Sequence, residues 1–137
     1  MGASSSSEPA SVEEAKANLE KVLSNNTLVL LTAPVGPFGA FSCPFCKKVI
    51  KALDAAGIPY HHEVVGQKGS NSRSALIELC KGTTSVPEAF CFGKWIGGYD
   101  ESDGKDVREA WMGISGLIAS GKLAKAVSDK DFECLTR

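Results

Sequence analysis

Two cysteines separated by two residues are the part of this sequence with the clearest chemistry. Cys43 and Cys46 stand in "FSCPFCKKVI", with a proline and an aromatic residue between them and two lysines after them. A pair with this spacing can be half of a metal site, a structural disulfide or a reactive dithiol. The surrounding sequence must decide between these three.

A metal site is not favoured, because a structural zinc site needs four ligands and this pair supplies two. Cys80 and Cys91 fall on different predicted elements. His61 and His62 are adjacent on a predicted strand, where neighbouring side chains point to opposite faces. We therefore expect no metal. A disulfide that closes so short a loop also stabilises a chain very little.

The dithiol interpretation has a physical basis. A helix is predicted to begin at Pro44, so Cys43 lies where backbone N–H groups and the positive end of the helix dipole favour a thiolate. Lys47 and Lys48 add positive charge nearby. Cys46 lies one turn into the helix and is expected to be more buried. We therefore expect Cys43 to attack and Cys46 to resolve, in thiol–disulfide exchange through a mixed disulfide.

Hydrophobic periodicity, capping residues and turn residues predict the elements that must position this pair. In chain order they are a helix from Ser11 to Leu23 with a Ser11–Glu14 capping box, a strand over 27–33, a loop over 34–39, a helix from Pro44 that Gly57 ends, a strand over 58–65, a helix over 70–81, a hairpin over 88–98 with its turn at "GK", a helix over 106–121 and a final turn at "KLAKAV". This order predicts an α/β fold with one mixed four-stranded sheet and helices on both faces.

Composition limits the classes of protein that fit. The 137 residues suit one domain, which we assign to 11–137, behind a tail over 1–10. A net charge of -1 does not favour a nucleic-acid partner. The start of the chain does not resemble a signal peptide, so we expect a cytoplasmic protein in a reducing compartment. Five cysteines, an odd number, also argue against a disulfide framework.

The first ten residues, "MGASSSSEPA", are small and polar and predict a disordered tail. Met1, Gly2 and Ser6 also fit the pattern for N-myristoylation. If Gly2 is acylated, we expect only weak membrane association, because one acyl chain anchors a protein marginally.

Three segments give the chain a resemblance to the glutaredoxins, the glutathione-linked branch of the thioredoxin fold. They are "CPFC" over 43–46, "TSVPEAF" over 84–90 and "GKWIGGYDE" over 93–101. The resemblance implies a thioredoxin-like fold with an extra N-terminal helix. It also implies a monomeric, glutathione-dependent oxidoreductase that reduces disulfide-bonded proteins and deglutathionylates others.

The resemblance assigns a role to each matching residue. Cys43 would be the nucleophile and Cys46 the resolving thiol, and the two would form the redox-active disulfide. Pro87 would be a cis-proline facing the cysteine pair, and Asp100 would lie near the α-ammonium of glutathione. The implied glutathione-binding residues are Cys43, Phe45, Val86, Pro87, Gly98, Tyr99 and Asp100.

The sequence departs from the family pattern around the glycine carboxylate of glutathione. The loop over 32–42 is longer than usual and contains no lysine, and Thr83 and Thr84 stand where a basic residue is common. We therefore expect weaker glutathione binding unless another basic residue substitutes. The candidates are Lys47, Lys68, Arg73 and Lys81.

Two other functions compete with this interpretation. Some glutaredoxins hold a [2Fe–2S] cluster between two subunits, but those with a proline at the position of Pro44 mostly do not. A thioredoxin-like reductase that does not use glutathione is the second alternative. Thioredoxins usually carry a tryptophan and a glycine around the cysteines, and neither stands at those positions in this sequence.

The other three cysteines are not expected to take part in catalysis. Cys91 lies in a predicted strand and is expected to be a small core residue. Cys134, near the end of the chain, is expected to be exposed and open to oxidation or glutathionylation.

Overall fold

The structure is a computed structural model that describes residues 9–33, 44–66, 69–80, 82, 86–98 and 113–135. Its elements in chain order are α1 (Val12–Asn25), β1 (Leu28–Thr32), α2 (Pro44–Ala56), β2 (His61–Val64), α3 (Asn71–Leu79), β3 (Glu88–Cys91), β4 (Lys94–Gly98), α4 (Gly113–Ala119), α5 (Lys122–Asp129) and a 3₁₀ helix (Phe132–Leu135). None of the helices in these ranges is long and apolar enough to cross a membrane.

The four strands form one mixed sheet in the order β2-β1-β3-β4, which confirms the predicted sheet. β1 runs parallel to β2 and antiparallel to β3, and β4 runs antiparallel to β3. All five residues of β1 are buried, because helices cover both faces of this central strand. This explains why β1 is a continuous apolar run rather than an alternating one.

Alternate residues of β1 supply the two halves of the core. Leu28 and Leu30 belong to the apolar cluster that includes residues of α2, α4 and α5. Val29 and Leu31 belong to the cluster that includes residues of α1 and α3. The helices are thus divided between the two faces of the sheet.

The predicted capping box begins α1, although its second bond reaches one residue further than expected. Ser11 Oγ accepts from the Glu14 N–H at 3.1 Å, and Glu14 Oε1 accepts from the Ala10 N–H at 2.8 Å. The helix then packs beside α3 through Leu19 and Leu23, both of which are buried. α1 is therefore an integral layer of the fold.

The predicted strand over 58–65 is shorter in the structure because Ile58 closes α2 instead. The Gly57 N–H donates to Asp54 O and the Ile58 N–H donates to Leu53 O, each at 3.1 Å. This is the Schellman arrangement that ends a helix with a left-handed glycine, and Gly57 has a φ of 70°. Ile58 then packs with Leu53 in the core.

The predicted hairpin is present, but its turn lies one residue earlier than "GK". Phe92 and Gly93 form the turn with φ values of 54° and 78°, and Cys91 pairs with Lys94. Two central residues with positive φ match the twist of a two-residue hairpin. Phe92 adopts this strained conformation while its N–H donates to Thr27 O at 2.7 Å.

Two predictions for the C-terminal region need correction. Gly121 is in the left-handed region and separates α4 from α5, so "KLAKAV" begins a helix of its own and does not add a final turn to the preceding one. Of the predicted helix over 106–121, residues 106–112 lie outside the described residues. Cys134 is buried, contrary to the expected exposure. The 3₁₀ helix packs on α5 and carries Leu135 and Cys134 into the core.

Truncation of Leu19 tests the packing of α1. We expect Leu19→Ala to lower the free energy of unfolding by about 2–5 kcal/mol, because a buried side chain is removed from the interface of α1 with α3. Asn18→Ala, an exposed change on the same helix, is the control and should shift it by less than about 0.5 kcal/mol. Urea unfolding measures both, and equal small losses would contradict the described position of α1.

Candidate active site

One end of the sheet brings together segments that are far apart in the sequence. β1 ends there and leads to α2, β3 begins there, and β4 ends there, since Leu31 pairs with Glu88 and Glu88 pairs with Gly98. Because β1 and β2 run parallel, the helix between them runs back along the sheet, so its start lies at this end together with the Val86–Pro87 segment and Gly98. These are the segments to which sequence analysis assigns the site.

Helix α2 begins at Pro44, as predicted, directly after Cys43 in the chain. Cys46 is fully buried, with Val49 and Leu53 following it along the buried side of the helix. The burial of Cys46 agrees with its expected position one turn into the helix, and its burial relative to Cys43 stays a prediction. Cys43 and the loop before it lie outside the described residues, as do Tyr99 and Asp100.

An aromatic side chain and a cation lie side by side on the first turns of α2. Phe45 is 46% exposed and is, among the described residues, the one exposed large hydrophobic side chain. Lys48 Nζ lies 5.4 Å from the centroid of the Phe45 ring, within the range of a cation–π interaction. The exposed side of the first turns of α2 thus offers both an apolar ring and a positive charge.

The Val86–Pro87 peptide bond is cis, as the resemblance implies, and Pro87 is buried. Gly98 packs closely against this segment. A Cβ atom at Gly98 would lie 3.2 Å from Pro87 O and 3.3 Å from Glu88 Oε2. Gly97 has a φ of 117°, which favours glycine. The positive φ of Gly97 and the close packing at Gly98 explain why both positions are glycine.

The end of β1 is held to β2 by a side-chain contact that sequence analysis did not identify. Thr32 Oγ1 lies 2.7 Å from His62 Nε2, and Thr32 is fully buried. Burial lowers the pKa of His62, the charge of His61 lowers it further, and Glu63 opposes both. The lowered pKa favours the neutral imidazole, and His62 fixes the strand end from which the chain continues towards the cysteines.

The two histidines point to opposite faces, as predicted. His61 Nε2 lies 2.9 Å from Glu63 Oε1, whereas His62 contacts Thr32. No group of three or more His, Cys, Asp or Glu side chains in the described ranges could hold a metal ion.

Arg73, one of the candidate partners for a carboxylate, is not available at the surface. Its side chain is 6% exposed, and Nη1 donates to Gly66 O at 3.3 Å. It thus ties α3 to the segment after β2. Lys47 and Lys48 are exposed on α2, while Lys68 and Lys81 lie outside the described residues.

The comparisons with known proteins point to one family. The family model described as Glutaredoxin matches residues 37–96. Glutaredoxin-2 of Schizosaccharomyces pombe is 31% identical over 117 residues, which are 84% of this chain and 88% of that protein. Glutaredoxin-C6 of Oryza sativa subsp. japonica is 38% identical over 73 residues, which are 52% of this chain and 64% of that protein.

Solved structures confirm the predicted thioredoxin-like fold. The crystal structure of a buckwheat glutaredoxin–glutathione complex superimposes with a TM-score of 0.61 at 22% identity. The match covers 92% of this chain and 96% of that one.

The thiols outside the site should be chemically silent in the folded protein. Cys80, Cys91 and Cys134 are buried, and burial raises the pKa of Cys91 to about 12. Cys91 therefore remains a protonated thiol throughout the neutral range, and we expect iodoacetamide to leave it unmodified at pH 8. Peptide mass spectrometry measures this, with protein unfolded in guanidinium as the control. Alkylation of Cys91 at equal rates in both states would contradict its described burial.

Proposed function

Because this chain belongs to the glutaredoxin family of thiol–disulfide oxidoreductases, we propose that it uses glutathione to reduce disulfides and to deglutathionylate proteins. One observation carries the proposal most directly. The strand order and directions carry the start of α2, which directly follows Cys43 in the chain, to the same end of the sheet as the Val86–Pro87 segment and Gly98. A nucleophile and a tripeptide site could therefore lie together there.

Deglutathionylation needs only Cys43. Its thiolate attacks the glutathione sulfur of a mixed disulfide, and the substrate protein leaves as a thiolate that takes up a proton. A second glutathione thiolate then attacks the glutathionyl sulfur on Cys43. Oxidised glutathione leaves and the Cys43 thiolate is restored, so sulfur atoms and electrons balance.

Reduction of a protein disulfide needs Cys46 as well. Cys43 attacks one substrate sulfur, and the Cys46 thiolate then attacks the Cys43 sulfur of the mixed disulfide. The substrate leaves with both sulfurs reduced, and a Cys43–Cys46 disulfide remains. Two glutathione molecules reduce it and leave as oxidised glutathione.

Glutathione would bind across the ends of β3 and β4. In this proposal the Val86 backbone pairs with the cysteinyl residue of glutathione, as an added strand would. Phe45 flanks the tripeptide, and Gly98, Tyr99 and Asp100 hold its γ-glutamyl end. The existence of a glutathione complex for the buckwheat glutaredoxin supports this assignment.

Lys48 is the best-placed candidate for the glycine carboxylate that the missing basic residues leave without a partner. It is exposed, lies over the Phe45 ring and is held one turn after Phe45 on α2. Lys47 is the neighbouring candidate, but the described contact with the Phe45 ring is made by Lys48. A lysine placed beside the ring can neutralise an anion bound there.

Substitution of Lys48 tests this assignment. We expect Lys48→Gln to raise the KM for glutathione about two- to fivefold, because an exposed ion pair contributes about 0.2–1 kcal/mol. The increase should shrink at high salt. Lys51→Gln removes an exposed charge one turn further along α2 and is the control. Equal effects of the two substitutions would contradict a specific role for Lys48.

Turnover of a glutathionylated protein tests the proposed function. We expect Cys43→Ser to be inactive, because the nucleophile is lost, and Cys46→Ser to keep most of its activity on this substrate. Cys46→Ser should lose activity on a protein disulfide. Cys91→Ala, which removes a buried thiol outside the site, is the control. Wild-type protein that turns over with a dithiol reductant but not with millimolar glutathione would overturn the proposal.

A further inference from the structure

A buried carboxylate lies directly beside the proposed glutathione site. Glu88 is 1% exposed and follows Pro87 at the start of β3. Removing a carboxylate from water is unfavourable unless the group is hydrogen-bonded. A carboxylate buried at this position therefore needs a hydrogen-bond donor.

One partner of this carboxylate is Trp95 on β4. Its Nε1–H donates to Glu88 Oε1 at 2.7 Å, in a buried hydrogen bond. The backbone of Trp95 pairs with Phe90 rather than with Glu88, and a register shift lies between Ala89 and Phe90. The indole therefore reaches along the sheet, from the middle of the hairpin to the end that carries the site.

The other carboxylate oxygen adjoins Gly98. Glu88 Oε2 lies 3.3 Å from the position that a Cβ atom at Gly98 would occupy, and the Glu88 backbone pairs with Gly98. One side chain thus links the Trp95 indole to the residue assigned to the γ-glutamyl end of glutathione. A shift of the Glu88 carboxylate would therefore change the packing of Gly98 at the end of β4.

The Trp95 indole is not enclosed by other side chains on every side. Trp95 and Phe90 both line an open cavity of about 780 Å³ at the far end of the hairpin, together with residues of α1 and Leu79. A ring that borders such a space can shift towards it when its polar contact is lost. The hydrogen bond to Glu88 opposes this shift.

We propose that Glu88 and Trp95 form a positioning pair that fixes the ends of β3 and β4 for glutathione binding. This inference rests on the proposed function, because it concerns the same site. Neither side chain takes part in the exchange of sulfur bonds. Loss of the pair should weaken glutathione recognition while leaving the chemistry of Cys43 intact.

The test compares Trp95→Phe with Phe90→Leu. Trp95→Phe keeps an aromatic ring but removes the N–H donor, and we expect it to raise the apparent KM for glutathione about fivefold, the effect of losing roughly one hydrogen bond. The kcat at saturating glutathione should stay within about twofold of wild type. Phe90, on β3, is a buried ring on the same face of the sheet as Trp95, and it lines the same cavity. Phe90→Leu removes no polar contact and should therefore leave the KM for glutathione unchanged.

Variants of Glu88 provide the second comparison. Glu88→Ala should raise the KM at least as much as Trp95→Phe does, and the double variant should be no worse than Glu88→Ala alone, because Trp95→Phe then has no bond to Glu88 left to remove. Glu88→Gln keeps an acceptor for the indole and should restore a near wild-type KM. If Trp95→Phe does not fold, the contrast between Glu88→Ala and Glu88→Gln gives the same test.

The possible failures are distinguishable. Wild-type protein without glutathione turnover would overturn the proposed function itself. Wild-type turnover with an unchanged KM in Trp95→Phe, or with a KM raised equally by Phe90→Leu, would overturn only the positioning pair. A loss of thermal stability in Trp95→Phe without a change in KM would show that the bond serves the fold alone.

Discussion

The antiparallel pairing of β3 with β1 is the interaction on which the site depends. It sets Glu88 opposite Leu31 and so brings the Val86–Pro87 segment to the end of the sheet where β1 leads to α2. A slip of one residue would turn every side chain of β3 to the other face. The register is fixed because β1 is buried on both sides and each face has its own apolar cluster.

A second constraint is the close approach of β4 to the start of β3. Gly98 lies where a side chain would crowd Pro87 O and the Glu88 carboxylate, so the two strand ends form one packed unit. The Thr32–His62 contact holds the neighbouring pair of strands in a similar way. Both contacts lie at the end of the sheet that carries the site.

Much of this arrangement could be predicted from sequence because it depends on local signals. The branched run of β1, the proline that begins α2 and the serine that caps α1 each specify their own element. The cis bond at Pro87 was implied by the family resemblance and is present, whereas the positive φ of Gly97 was not predicted.

The remainder depends on contacts between elements, which spacing along the chain does not reveal. Nothing local distinguishes Arg73, buried against the segment after β2, from a lysine or arginine at the surface. The burial of Cys134 follows from the way the 3₁₀ helix packs on α5. The Glu88–Trp95 bond joins side chains whose backbones do not pair, since Glu88 pairs with Gly98 and Trp95 pairs with Phe90, and the sequence does not reveal this register.

The most direct test of the central claim, that glutathione is recognised at this end of the sheet and reacts with Cys43, is a rate comparison. The reduced Cys46→Ser variant is mixed with oxidised glutathione or with cystine, which has the same reacting sulfurs but lacks the γ-glutamyl and glycyl residues. Mass spectrometry follows the adducts. We predict one glutathione per chain, on Cys43, formed faster than the cysteine adduct. Equal rates, or an adduct on another cysteine, would contradict the account.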